Sequence, residues 1–293
     1  MTAPDLSAFS VFRTLASTTA TLHRATLLGE GLAVAQWERE QREVIGYEAP
    51  GHHTVSLYLQ GGEQSFRIGC DGFGGAGKFC VLPDEHRSSW SMTGRVRFMH
   101  LYIAPERLAR ETVLRLDREP RSLQVRDQTY VQAPELTRAS RQLLALDWRE
   151  PAQRLAASSA AELMLHHLLS NGTEARRAAR PRGGLAPAVR RRVRDYIDSH
   201  LHAALSLDEL AGVAALSTFH FAHMFPVSFG LTPHAWVQQR RIDHARGLLA
   251  SGDLDLAAIA QRTGFGNASH LSRRFRQATG VTPGAYRRWL RHG

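Results

Sequence analysis

Between about residue 25 and 103 the apolar positions come in short runs or alternate with polar ones, and glycine or proline cuts each run short. Leu32 to Trp37, Thr54 to Leu59, Ser65 to Ile68, Phe79 to Leu82 and Val96 to Ile103 are predicted as β-strands. Gly61-Gly62, Asp71-Gly72 and the glycine-rich stretch to Gly77 are predicted as turns, since glycine accepts the positive φ that hairpins require. After Ala104-Pro105 the period lengthens, and helices are predicted over 105–116, 133–146 and 152–170. The last carries an apolar stripe of Ala157, Ala161, Met164, Leu165 and Leu168, with Ser158, Glu162 and His166 as a polar one. An apolar stripe needs a cover. Two covers stay open, the chain's own strands or a second copy, and the second predicts a homodimer whose seam includes Met164 and Leu168.

The last hundred residues repeat themselves. Leu207, Leu210, Ala211 and Leu216 match Leu256, Ile259, Ala260 and Phe265 at a shift of 49, and Phe221, Phe225, Gly230, Thr232, Pro233, Ala235 and Trp236 match Leu271, Phe275, Gly280, Thr282, Pro283, Ala285 and Tyr286 at a shift of 50. Each copy reads as helix, tight turn, helix. Ser206 with Glu209 forms a capping box, Ser217 and Asn267 are N-caps of the second helices, and Thr232-Pro233 and Thr282-Pro283 start the helices that follow. A solenoid built for protein contacts needs three or more such units, and two occur here. Two helices joined by a short turn form a helix-turn-helix, whose second helix fits the DNA major groove.

Charge agrees with that reading. The chain carries a formal +10, and residues 185–293 hold 14 Arg against 7 Asp plus Glu, whereas residues 1–175 hold 19 basic and 20 acidic side chains. A basic tail favours a phosphate backbone. Two cysteines are too few for a disulfide framework, no run of about 18 apolar residues occurs, and the start has no secretory pattern. A soluble cytoplasmic protein that does not enter a membrane is expected.

The pattern Ala260-x3-Gly264-Phe265 to Leu271-x3-Phe275-x4-Gly280-x-Thr282-Pro283-x2-Tyr286 resembles the signature of the AraC/XylS transcriptional regulators. The resemblance covers about residues 186–293. It implies a seven-helix DNA-binding domain on double-stranded DNA, with RNA polymerase as a further partner. By position, Thr218, Phe219, Ala222 and His223 would face bases from the first motif, and Ala268, Ser269, His270 and Arg273 from the second. This sequence departs from the family in two places. Ala215 stands where the turn usually has glycine, so a positive φ there costs about 1 kcal/mol or more. Pro226 falls inside the first recognition helix, which is expected to be cut short there.

Residues 25–170 are similar to the cupin-type sensor domains of such regulators. The expected architecture is therefore α+β. A cupin-like β-barrel with trailing helices spans 1–175 for effector sensing and dimerisation, an Arg-rich linker spans 176–185, and an all-α domain with two helix-turn-helix motifs spans 186–293. Trp37, Tyr58, Trp90 and Tyr102 are candidates to line an effector pocket, and a small uncharged or weakly polar effector is expected there. The rival reading is a metal-dependent cupin enzyme with an appended DNA-binding module, using His52, His53, His86 and His100. The close His-x-His plus Glu spacing of such sites is absent, as are a nucleophile elbow and a phosphate loop. No catalytic residue, metal or cofactor is expected.

Overall fold

A computed structural model of the chain describes residues 6–176, 183–252 and 254–292, so the linker arginines Arg177, Arg180 and Arg182 lie outside the described residues. The chain divides into two compact units, residues 1–108 with 124–175 and residues 109–123 with 176–293. No single helix among the described residues is long and apolar enough to cross a membrane.

The first unit is built on antiparallel strands. Helix α1 (Ser10–Ala16) precedes β1 (Thr21–Gly29), β2 (Leu32–Arg39), β3 (Glu43–Glu48), β4 (His53–Gln60), β5 (Phe66–Arg67), β6 (Phe79–Leu82), β7 (Arg87–Met92) and β8 (Val96–Ile103). Helix α2 (Pro105–Leu116) passes into the second unit at Ala109, and β9 (Leu123–Val125), β10 (Gln128–Val131), α3 (Pro134–Ala145), α4 (Pro151–Asn171) and β11 (Thr173–Ala175) complete the first. The sheets run β1-β2-β8-β4-β6-β10, β3-β7-β5 and β11-β9. All eight residues of β2 are buried, and β2 pairs with β8 from Leu32↔Ile103 to Arg39↔Val96 without a slip, so these two strands are the spine of the core.

The expectation of a closed barrel is corrected here. Closure requires one hydrogen-bonded ladder to run all the way round. Instead β3, β7 and β5 pair only among themselves, apart from the six-stranded sheet. Of the two covers open to the apolar stripe of α4, the chain's own elements supply it. Ala157, Ala161, Met164, Leu165 and Leu168 are at most 2% exposed, because α4 packs on α3 and β1. Ser158 ties it further by donating to the Leu28 carbonyl at 2.9 Å. The stripe is interior core of this unit, and Met164 and Leu168 are unavailable to a dimer seam. A charge at either would unfold the unit before it could separate two copies.

The second unit contains α5 (Pro187–Ser199), α6 (Leu207–Ala214), α7 (Thr218–Phe229), α8 (Pro233–Ser251), α9 (Leu256–Arg262), α10 (Ala268–Thr279) and α11 (Pro283–His292). It has two cores that share α8. Trp236 and Val237 of α8 lie in a cluster with Val193, Ile197, Leu210, Phe221, Phe225 and Phe229, and Val113 from residues 109–123 belongs to the same cluster. One to two turns further on, Ile242, Ala245 and Leu249 pack with Ile259, Ala260, Phe265, Leu271 and Phe275. A helix with apolar residues at both ends but on no single stripe is what a shared strut between two cores requires.

Candidate nucleic-acid interface and effector cavity

Polar caps end the helices of the two motifs where the sequence places them. Ser206 and Glu209 make a reciprocal box at the start of α6. Ser217 accepts from the His220 amide at 3.3 Å, and Asn267 from the His270 amide at 2.8 Å, which starts α7 and α10. Thr232 and Thr282 do the same for α8 and α11. Helices α6 and α7 meet at 80°, close to the angle that lets the second helix of such a pair project from the fold.

The two turns reach the same left-handed backbone with different residues. Ala215 has φ 56°, and Gly264 has φ 73°. Gly264 also sits where a Cβ would lie 2.1 Å from the Leu201 carbonyl oxygen and 2.8 Å from the Arg241 guanidinium. That guanidinium donates to the Leu201 and Ala203 carbonyls, at 3.0 and 2.6 Å, so the second turn is packed onto the first motif's flank. Only glycine fits there.

Helix α7 runs the full twelve residues to Phe229, the same length as α10, with Pro226 inside it. The shortening expected at Pro226 does not occur. Proline removes one helical bond and costs about 3 kcal/mol, but Phe221, Phe225 and Phe229 are fully buried and hold the helix on both sides of it. Phe225 stacks on Phe229 at 4.0 Å, and Phe229 meets the Trp236 ring edge to face at 4.7 Å.

Each predicted base-facing residue lies in the first two turns of α7 or α10. Phe219 is 84% exposed, His223 is exposed, and their rings lie nearly parallel, 6.4 Å apart. Ala222 and Thr218 are half-buried, and the Thr218 hydroxyl is engaged by Asp208 of α6 at 2.5 Å. In α10, Ser269 and Arg273 are exposed, while Ala268 and His270 are half-buried, the latter with its ring edge on Phe265. Arg273 makes no ion pair among the described residues. The sequence reading passed over Arg276, also exposed and unpaired among the described residues, which follows Ser269 and Arg273 on one stripe at i, i+4, i+7. The i+3 spacing from Arg273 was the available signal.

In the first unit, Tyr58 and Trp90 line a cavity of about 40 Å³, together with Leu15, Arg39, Ile45, Phe98 and His100 among others. Trp37 and Tyr102 do not line it. Trp37 Nε1 donates to the Tyr102 hydroxyl at 3.2 Å, and both rings pack on Phe12, as core. Burial pulls the His100 imidazole down to about 3 and that of His52 down to about 4, so both are neutral at pH 7. Among the described residues no three His, Cys, Asp or Glu side chains come together in a way that could hold a metal ion.

Residues 210–288 match a family described as a helix-turn-helix domain. The probable transcriptional regulator LumQ of Photobacterium leiognathi is 36% identical over 97 residues, 33% of this chain and 39% of that protein. The regulatory protein PocR of Salmonella typhimurium is 39% identical over 95 residues, 32% of this chain and 31% of PocR. The matches thus span about a third of these relatives' lengths. Among solved structures, the DNA-binding domain of AdpA in complex with a target DNA is 31% identical, with a TM-score of 0.33, and the match covers 34% of this chain and 90% of that domain. The tail of this chain is therefore a helix-turn-helix DNA-binding domain of the AraC type, the domain of the AraC/XylS transcriptional regulators.

Proposed function

We propose that the whole chain is a sequence-specific regulator of transcription that responds to a small-molecule effector held in its first unit. The observation that carries this is the pairing of two capped recognition helices on one strut, with an exposed stripe of Ser269, Arg273 and Arg276 on the second. Arg273 pairs bidentately with a guanine edge, Ser269 supports it, and Arg276 meets the phosphates. Phe219, Ala222 and His223 read the first subsite, with Thr218 holding the start of the helix, and Ala268 and His270 flank the second subsite.

The first unit is a cupin-like sensor and not an enzyme, and its cavity is the effector site. The protein works in the cytoplasm as a homodimer and acts through RNA polymerase. With Met164 and Leu168 buried, Leu163, 57% exposed on the opposite face of α4, is the apolar residue of that helix left for a seam. The test is selection of binding sites from random duplex DNA by the full chain, followed by titration at fixed salt. A recurrent two-part site, bound at least a thousandfold more tightly than random sequence, is expected. Binding that does not discriminate among sequences would overturn the reading.

A further inference from the structure

We propose that the cavity of the first unit binds a compact apolar monocarboxylate, with the guanidinium of Arg39 as the partner of its carboxylate group. This rests on reading that unit as the effector sensor.

Arg39 ends β2, and its side chain is 1% exposed. It lines the cavity, a position that neither the strand pattern nor the aromatic candidates pointed to. A guanidinium offers five N–H donors in a fixed fork and accepts nothing. The hydrogen bond to the Thr18 hydroxyl, at 3.0 Å, and the ion pair with Glu43, at 3.2 Å, both leave from Nη2. Nε is buried and has no partner among the described residues. A charged donor left in that state is costly, and a carboxylate oxygen in the cavity relieves the cost by a charge-assisted bond.

The rest of the wall selects what the carboxylate is attached to. Leu15, Ile45, Trp90 and Phe98 are apolar, Tyr47, Ser56 and Tyr58 add only neutral hydroxyls, no carboxylate lines the cavity, and His100 is neutral through burial. Because Glu43 already meets the guanidinium at Nη2, what the cavity offers an acid is the single unpartnered Nε donor, enough for one carboxylate group. A phosphate would bring a second charge with nothing to meet it. The volume, about 40 Å³, is well below the roughly 150 Å³ of a cavity that takes a benzene ring, which limits the body to a few carbon atoms. This proposal differs from the uncharged or weakly polar effector that the aromatic residues alone suggest.

The experiment is calorimetric titration of the full chain at pH 7 with propionate and isovalerate, each against its amide, and with inorganic phosphate. Each amide keeps the shape and loses the charge. The acid is expected to bind at least about tenfold tighter than its amide, and phosphate not at all. Arg39→Gln should bring acid and amide within about twofold of each other, and Arg39→Lys should lie between, since it keeps the charge but not the Nε donor. The comparison in the unmodified protein needs no variant to fold. An amide that binds as well as its acid would overturn the ligand class and leave the sensor reading standing, as would silent acids beside a thermal shift with some uncharged metabolite. No thermal shift of the protein with any compound of a broad metabolite panel would overturn both.

Discussion

The two helix-turn-helix motifs share a plan and differ in the chemistry of their outward stripe. On α7 the stripe reads Phe219, His223, Pro226, and at the corresponding positions of α10 it reads Ser269, Arg273, Arg276. The first is aromatic and uncharged apart from a histidine, and the second is polar and cationic. Their insides differ in the opposite sense. Phe229 of the first core is fully buried and stacked on Phe225, whereas its counterpart Thr279 spends its hydroxyl on the Phe275 and Val281 carbonyls. The first motif is thus the better packed and the second the better equipped to pair with bases. Duplicated sequence fixes a common backbone, and each copy is then free to specialise.

The largest effect that can break this comparison is on stability. Phe229→Ala should cost about 3 to 5 kcal/mol by opening a cavity in the first core, and Thr279→Ala about 1 kcal/mol, the worth of its hydrogen bonds. Denaturant unfolding of the full chain measures both, and equal costs would show that the cores are not unequal. The turns should respond with opposite signs. Gly264→Ala places a methyl against the Leu201 carbonyl and is expected to destabilise by about 3 kcal/mol, whereas Ala215→Gly relieves a left-handed alanine and should stabilise by about 0.5 to 1 kcal/mol. If both substitutions shift the melting temperature in the same direction, the difference between the turns is not one of backbone strain.

On DNA the order reverses. Arg273→Ala should lose about 1 to 3 kcal/mol of binding on the preferred site and relax the preference at one base pair, and His223→Ala should lose less. Titration against single-base variants of the site at constant salt decides between them, and a larger loss for His223→Ala would reassign the dominant reader. The smallest effect is the most specific. Phe219 offers a base pair nothing but an apolar face, and the thymine methyl is the apolar group the major groove presents. Replacing thymine by uracil in the first subsite should weaken wild-type binding by up to about 1 kcal/mol and leave Phe219→Ala unaffected. A uracil penalty that persists in Phe219→Ala would place the methyl against another residue.

Much of the second unit could be read without coordinates. Helix caps, turn residues and core spacing are local, and Ser206, Ser217, Asn267 and Thr232 do what their side chains do in any chain. The first unit was less legible. Strands β3 and β7 carry Gly46, Ser88, Ser89 and Ser91, which give no clean apolar alternation, and α1 is only seven residues long. Their membership in sheet or core depends on partners far away in sequence.

The sequence by itself determined the repeat, the capped helices and the basic tail, because each rests on interactions within a few residues or on a plain count of charge. Only the tertiary structure decided that Pro226 is carried inside a full helix, since the buried phenylalanines on both sides outweigh one lost bond. Only the tertiary structure turned the apolar stripe of α4 inward and placed the Arg39 guanidinium on a cavity wall. Which surface covers a stripe, and which donor is left without an acceptor, are settled by residues that meet across the fold, and a linear pattern does not hold that information.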